Sequence, residues 1–163
     1  MRGFSLRLSH AFVLIVVLAL LDQLVKAVVE RSMALGEMIP VLPFLALLRA
    51  HNEGVAFSML AGFDFQFIVA LTAVISAGAI YMLVRTPAAD WPSRLGLALI
   101  IGGAAGNLMD RVQHAYVVDY IFFHTPVWSF AIFNLADVFI TCGAGLVIVD
   151  ELLLKGRRDK AQN

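Results

Sequence analysis

A single carboxylate inside an apolar segment is the feature that most constrains this chain. The run FNLADVFITCGAGLVIVDELLL, from Phe133 to Leu154, is long and apolar enough to cross a bilayer, yet Asp137 lies within it. A carboxylate in hydrocarbon is costly unless it is protonated, has a partner or faces water. The rest of the chain must therefore supply such surroundings for Asp137.

Composition places the chain among integral membrane proteins. It has 163 residues, of which 61% are hydrophobic, and its mean hydropathy is +0.87, whereas soluble domains are roughly 45–50% apolar. Basic and acidic residues are equal in number, 12 of each, and no basic patch with interleaved aromatic residues indicates nucleic-acid binding. Cys142 is the one cysteine, and its small apolar neighbours predict a packing role rather than a nucleophile.

Four segments have about the 20 residues that a transmembrane helix needs. They are expected at about residues 11–29, 65–84, 95–112 and 131–154. Two apolar segments between them, at about residues 30–64 and 113–130, are broken by proline, and the first also by glycine, which predicts short strands and turns outside the membrane. The expected fold is one domain over residues 1–163, an all-α membrane bundle of four transmembrane helices with a small extracytoplasmic β-rich region.

The distribution of basic residues predicts the orientation of this bundle. Eight of the 12 Lys and Arg residues lie at the two termini and in the loop of residues 85–94. Cytoplasmic segments carry an excess of Lys and Arg. Both termini and this loop are therefore expected on the cytoplasmic side.

With this orientation, polar residues from four separate parts of the chain reach one level, just below the outer membrane surface. These residues are Asp22 and Lys26, then Asn107, Asp110 and Arg111, then Asp119, and finally Asn134 and Asp137. Asp137 is expected about six residues into its span, which corresponds to about 9 Å. Gly102 and Gly106 on the third span, with Gly143 and Gly145 on the fourth, offer small surfaces for close helix contact.

Asp119 and Asp137 are the strongest candidates for chemistry. Asp22 and Lys26 are most simply a same-helix ion pair, and Arg111 a counter-charge, but no Lys or Arg lies within four residues of Asp119 or Asp137. Two carboxylates in a partly wet, low-dielectric site share one proton, so that one is a base and the other an acid. Such a pair can activate water against a peptide carbonyl and protonate the departing nitrogen without a metal.

Five short motifs resemble the lipoprotein signal peptidase (signal peptidase II) family in their order and spacing. The motifs are DQLVK, HNEGVAFS, GGAAGNLMDR, VVDY and FNLADVFI, and the resemblance extends from Leu21 to Leu154. It implies an aspartic endopeptidase of the bacterial cytoplasmic (inner) membrane. Such an enzyme removes signal peptides from prolipoproteins by cutting on the N-terminal side of a diacylglyceryl-modified cysteine. No cofactor or metal is implied, and the expected state is a monomer among membrane lipids.

The resemblance also implies individual roles. Asp119 and Asp137 are the implied catalytic pair, and Asp22 and Lys26 support them. The residues implied to line and shape the substrate site are Asn52, Gly54, Asn107, Arg111, Asn134 and Ala136. The strand region Gly36–Leu60 would cradle the substrate peptide.

Two other classes of function remain open on the residues alone. A small ion-coupled transporter also uses intramembrane carboxylates, but its site lies near the bilayer midplane between inverted repeats, and this sequence shows no repeat. An assembly or scaffold protein could be held together by polar contacts between spans. That alternative gives no role to Asp119, which lies outside every predicted span.

Overall fold

The computed structural model describes residues 5–54 and 65–154, which form four helices and a small antiparallel sheet. The first half contains α1 (Leu8–Ser32), β1 (Met38–Leu42), β2 (Leu45–Asn52) and α2 (Phe65–Arg85). The second half contains α3 (Trp91–His114), β3 (Val117–Thr125), β4 (Trp128–Ser129) and α4 (Leu135–Val149), which continues as a π-helical turn over Asp150–Leu154. Phe57 and Ser58 of the HNEGVAFS motif lie outside the described residues.

Three helices in the described part of the chain are long and apolar enough to cross a membrane, namely α1, α2 from Gln66 onwards, and α3. The α-helical part of α4 is shorter, at 15 residues, followed by five π-helical residues. It begins at Leu135 and not near residue 131 as the sequence predicts. The delay has a tertiary cause, because the preceding Phe133 pairs with Ile121 of β3 in an extended conformation.

The later start of α4 changes the position of Asp137 along its helix. Asn134 is the N-cap of α4, so Asp137 is the third residue of the helix and lies in its first turn. It is not the sixth residue of a helix that begins near residue 131. The structure therefore places the carboxylate at the positive end of the helix dipole, where an anion is stabilised.

The sheet lies in the two segments from which the sequence predicts short strands, and its order is β1-β2-β3-β4. Strands β2 and β3 are antiparallel, with Ala50 opposite Asp119 and Asn52 opposite Val117. An irregularity between Leu47 and Ala50 shifts the register along β2. This pairing brings the end of β2 beside the carboxylate of β3.

Helix α3 is central, because it packs against each of the other three helices. Against α1 it presents Gly102 and Gly106, the two glycines that the sequence predicts for close contact. A Cβ atom at Gly102 would lie 2.9 Å from the Cβ of Leu18, and one at Gly106 would collide with the carboxylate of Asp22. Small residues at these positions let α1 and α3 approach closely.

Against α4, helix α3 makes a close approach at Gly96 and Gly143. A Cβ at Gly96 would lie 2.6 Å from the carbonyl oxygen of Gly143. Gly103 makes a similar approach to the backbone of Ala136. The sequence predicts Gly143 for such a contact, but it also predicts Gly145, beside which nothing lies within 4 Å.

This difference between two glycines of one helix gives a test of the packing. Gly143→Ala is expected to destabilise the protein by about 1–3 kcal/mol, because the added methyl group overpacks the α3–α4 contact. Gly145→Ala is the matched control and should leave stability unchanged or slightly higher, since alanine favours helix. The measurement is the thermal unfolding temperature of both variants in one detergent. Equal unfolding temperatures would contradict the close contact.

Candidate active site

One cavity of about 860 Å³ brings together residues from β2, α3, β3 and α4. Both predicted catalytic carboxylates, Asp119 and Asp137, are on its wall, together with Asn52, Asn107 and Arg111. Asp119 is 2% exposed and Asp137 is half-buried. The two carboxylates thus face one space, although 17 residues lie between them in the sequence.

Asp119 is held by two side-chain amides. The Nδ2 of Asn52 donates to its Oδ2 at 2.9 Å, and the Nδ2 of Asn134 donates to its Oδ1 at 2.6 Å. Burial raises the pKa of Asp119 from 3.8 to about 6, and the negative charge of Asp137 adds to the rise. The hydrogen bonds from Asn52 and Asn134 oppose it, because they stabilise the ionised carboxylate.

Asp137 is held by the start of its own helix and by α3. Its Oδ2 accepts from the backbone N–H of Asn134 at 3.2 Å, and its Oδ1 accepts from the Nδ2 of Asn107 at 2.8 Å. The Oδ1 of Asn134 accepts in return from the backbone N–H of Asp137 at 3.2 Å, which completes a capping box. The cap satisfies free N–H groups of the helix and fixes Asp137 at the cavity.

Behind the cavity, the ammonium group of Lys26 is surrounded by oxygen atoms. Its Nζ lies 2.7 Å from Asp22 and 2.9 Å from Asp110, and donates to the Oδ1 of Asn107 at 2.9 Å. Asp22 also accepts from the backbone N–H of Ala136 at 2.9 Å. Because a buried charge requires partners, this cluster joins α1 to α3 and to the first turn of α4.

The three asparagine amides of the site have one orientation each, because groups that can only donate fix their oxygen atoms. Lys26 donates to the oxygen of Asn107, and the backbone N–H groups of Asp137 and Gly54 donate to the oxygens of Asn134 and Asn52. Each NH₂ group must then point the other way. In all three cases it donates to one of the two cavity carboxylates.

Strand β2 is anchored on the other side, which keeps Asn52 in place. Arg49 forms an ion pair with Glu30 at 2.9 Å and donates to the carbonyl of Met33 at the end of α1. The imidazole of His51 stacks on the ring of Tyr116, with centroids 3.7 Å apart.

The turn after β2 requires a glycine. Gly54 has φ +105°, a conformation that favours glycine. A Cβ atom at this position would also collide with the side chain of Ile68. Its N–H can then bond to the oxygen of Asn52.

Half of the ten residues that the sequence selects are on the cavity wall. These five are Asn52, Asn107, Arg111, Asp119 and Asp137. The other five are buried: Asp22, Asn134 and Ala136 completely, Lys26 nearly so, and Gly54 in its turn. Ala136 contributes its backbone N–H to Asp22 and a close contact with α3, so it acts on the site through packing.

The sequence predicts that Asp110 joins the converging polar residues but assigns it no individual role, and it does not select Gln23, yet both complete the cluster. The Nε2 of Gln23 donates to Asp110 at 2.6 Å and to the carbonyl of Gly106 at 3.1 Å. Asp110 also accepts from the backbone N–H of Val118 at 3.1 Å and so ties α3 to β3. The signal for Gln23 was its position inside the DQLVK motif, whereas Asp110 was also indicated by its depth beside Asn107 and Arg111.

Cys142 differs from its predicted packing role. It is exposed, and with Ile140 and Thr141 it forms the part of the cavity wall that follows α4 away from the carboxylates. The cavity therefore extends along the helix beyond its first turn. Small neighbours in the sequence did not distinguish a buried cysteine from one that faces a cavity.

Comparisons with known proteins agree on one family. Residues 14–153 match the model of signal peptidase (SPase) II. The chain is 52% identical over 145 residues to the lipoprotein signal peptidase of Brucella ovis, and equally so to that of Brucella melitensis, covering 89% of this chain and 90% of each relative. A solved structure described as a bacterial membrane enzyme superposes with a TM-score of 0.82 at 27% identity, over 93% of both chains. A second one gives a TM-score of 0.82 at 26% identity, over 94% of this chain and 99% of its own.

The surroundings of Asp119 predict how its pKa responds to substitution. Asp137→Asn should lower the pKa of Asp119 below about 6, because it removes a nearby negative charge. Asn52→Ala should raise that pKa, because it removes a donor to the ionised form. The measurement is the pH titration of the carboxyl infrared band that disappears in Asp119→Asn. Shifts in the reverse directions would contradict these contacts.

Proposed function

Because the chain belongs to the signal peptidase II family, we propose that it cuts its substrates with Asp119 and Asp137 as the two catalytic carboxyl groups. The family resemblance of the five motifs is confirmed by the comparisons. The chain is a membrane protease that removes signal peptides from lipoproteins. The aspartic mechanism, its residues and the site of the cut are the parts that we propose.

The observation that carries the proposal is the meeting of two carboxylates on the wall of one cavity. Each has fixed amide donors and neither has an ion-pair partner within hydrogen-bonding reach among the described residues. The raised pKa of Asp119 favours keeping the shared proton there. In this assignment Asp119 is the acid and Asp137 is the base.

The proposed reaction uses one water molecule. Asp137 takes a proton from the water, and the water oxygen forms a bond to the carbonyl carbon of the scissile peptide. The carbon–nitrogen bond of the tetrahedral intermediate then breaks, while the nitrogen receives a proton from Asp119. The products are a carboxylic acid and an amine, and the pair again holds one proton.

Arg111 is the proposed substrate-binding cation. It lies on the cavity wall, and its Nη1 makes a long contact of 3.4 Å with the carbonyl oxygen of Asn107. The guanidinium has five donors, so it can bind a carbonyl oxygen of the substrate beside the two carboxylates. Asn52 and Asn107 have their amide donors committed to Asp119 and Asp137, which suits positioning more than substrate binding.

We place the enzyme in the bacterial cytoplasmic membrane with both termini inside and the cavity near the outer face. The excess of basic residues at the termini and in the loop of residues 85–94 supports this orientation. In this arrangement α4 is the fourth span, as its apolar sequence suggests. The proposed substrate is a prolipoprotein that is cut on the N-terminal side of a diacylglyceryl-modified cysteine, with the enzyme acting as a monomer.

Amide substitutions test the dyad. Asp119→Asn and Asp137→Asn should each reduce cleavage of a lipidated precursor by at least about 10³-fold, because an amide is neither base nor acid, and the double variant should be little worse. The measurement is release of the signal peptide, with thermal unfolding as the folding control. Glu53→Gln is the matched control, since Glu53 is a third carboxylate on the same cavity wall, and it should retain cleavage. Substantial turnover by either single variant would remove that residue from the chemistry.

A further inference from the structure

A second, smaller cavity of about 410 Å³ lies in the sheet region. It is formed by the end of β3, by β4 and the residues after it, and by the turn between β1 and β2. Its lining residues are Phe44, Phe123, His124, Thr125, Trp128, Phe130 and Phe133. Five of these seven are phenylalanine or tryptophan, so the cavity suits an apolar ligand.

The second cavity is next to the catalytic one. Phe123, Phe130 and Phe133 line both. Their rings form one cluster, with Phe123 and Phe133 stacked at 5.8 Å and Phe130 edge-on to Phe133 at 6.0 Å. A ligand that reaches the dyad at one end can therefore place an apolar part across this cluster in the second cavity.

The surface around the second cavity is apolar as well. The segment of residues 120–136 contains no Lys, Arg, Asp or Glu. Phe44 is 51% exposed and Trp128 is 58% exposed, on two sides of the cavity. An exposed apolar patch of this kind marks an interaction site, and the lack of charge fits contact with hydrocarbon.

We propose that the second cavity binds an acyl chain of the lipid-modified substrate while the adjoining peptide lies against the dyad. This proposal rests on the proposed function, which supplies a ligand with a peptide and two acyl chains joined at one cysteine. The adjacency of the two cavities, which share three lining residues, selects this occupant. A free membrane lipid has no part that must reach the dyad, and a signal peptide alone leaves the acyl chains unplaced.

Tryptophan fluorescence tests the position of the chain directly. The sequence has two tryptophans, so Trp91→Phe leaves Trp128 on the cavity wall as the only one. In an Asp137→Asn background, a precursor with brominated acyl chains should quench Trp128 saturably, and an unlabelled lipidated precursor should reverse the quenching. Anisotropy of a dye on the precursor peptide reports binding independently.

Three results would overturn the proposal. Binding without quenching would place the acyl chains elsewhere. Equal quenching by a brominated phospholipid in nanodiscs without precursor would make this a general lipid site, and quenching only by a bromine in the signal peptide would make it a peptide site. The assay reads a position and not a rate, so it stays decisive if Asp137→Asn unexpectedly cleaves, a result that would refute the dyad alone.

The dependence of KM on acyl-chain length tests the same proposal by a second method, with a matched control variant. Trp128→Ala should raise KM for a long-chain precursor by roughly tenfold, as loss of a hydrophobic substrate contact does, and leave kcat unchanged. KM for a short-chain precursor should change little. If Trp128→Ala folds poorly, Phe44→Ala can replace it, because Phe44 also lines the cavity and its loss should raise KM for the long-chain precursor in the same way.

Val127→Ala is the control because Val127 is adjacent to Trp128 and 95% exposed. It does not contribute to the described lining of the cavity, and its KM values should match those of the unsubstituted protein. An equal rise in KM for Val127→Ala and Trp128→Ala would instead make the turn between β3 and β4 a membrane contact. An equal rise in the KM of Trp128→Ala for long-chain and short-chain precursors would also contradict an acyl-chain site.

Discussion

The buried ammonium of Lys26 is the interaction on which the rest of the site depends. Its Nζ is within 2.9 Å of carboxylates on two helices, Asp22 of α1 and Asp110 of α3. Burying these charges is unfavourable unless all three meet, so the helices must approach until they do. Gly106 permits that approach, since a side chain there would collide with Asp22. The same carboxylates then accept backbone N–H groups from α4 and from β3.

The Lys26 cluster also sets the orientation of the amide groups that donate to the two cavity carboxylates, Asp119 and Asp137. Lys26 can only donate, so it fixes the oxygen of Asn107 and turns the NH₂ group of that amide toward Asp137. At the start of α4, the backbone N–H of Asp137 fixes the oxygen of Asn134 in the same way, and the NH₂ group of Asn134 donates to Asp119. This arrangement explains why Asp137 is tolerated in an apolar segment. It lies in the first turn of its helix, on a cavity wall and with two donors, so it is not surrounded by hydrocarbon.

The sequence predicts the broad arrangement because its signals are local. Helical spacing predicts that Asp22 and Lys26 share a face, and apolar lengths predict the helices. The start of α4 was predicted about four residues too early, because pairing of Phe133 with Ile121 is tertiary and leaves no periodic signal. The exposure of Cys142 was missed for a related reason: apolar neighbours mark a cavity wall as readily as a core. Individual roles came from the family motifs, since spacing alone cannot show which carboxylates meet.

The most direct measurement of this account is the effect of Lys26→Met on unfolding temperature and on cleavage of a lipidated precursor. Removing one partner of a buried ion cluster costs about 3–5 kcal/mol, so the account predicts a large loss of thermal stability and loss of cleavage even where the protein remains folded. Arg31→Met is the comparison, because Arg31 lies in the last turn of the same helix and is exposed, and exposed charges contribute little to stability. A Lys26→Met protein that unfolds and cleaves like the unsubstituted one would contradict the account.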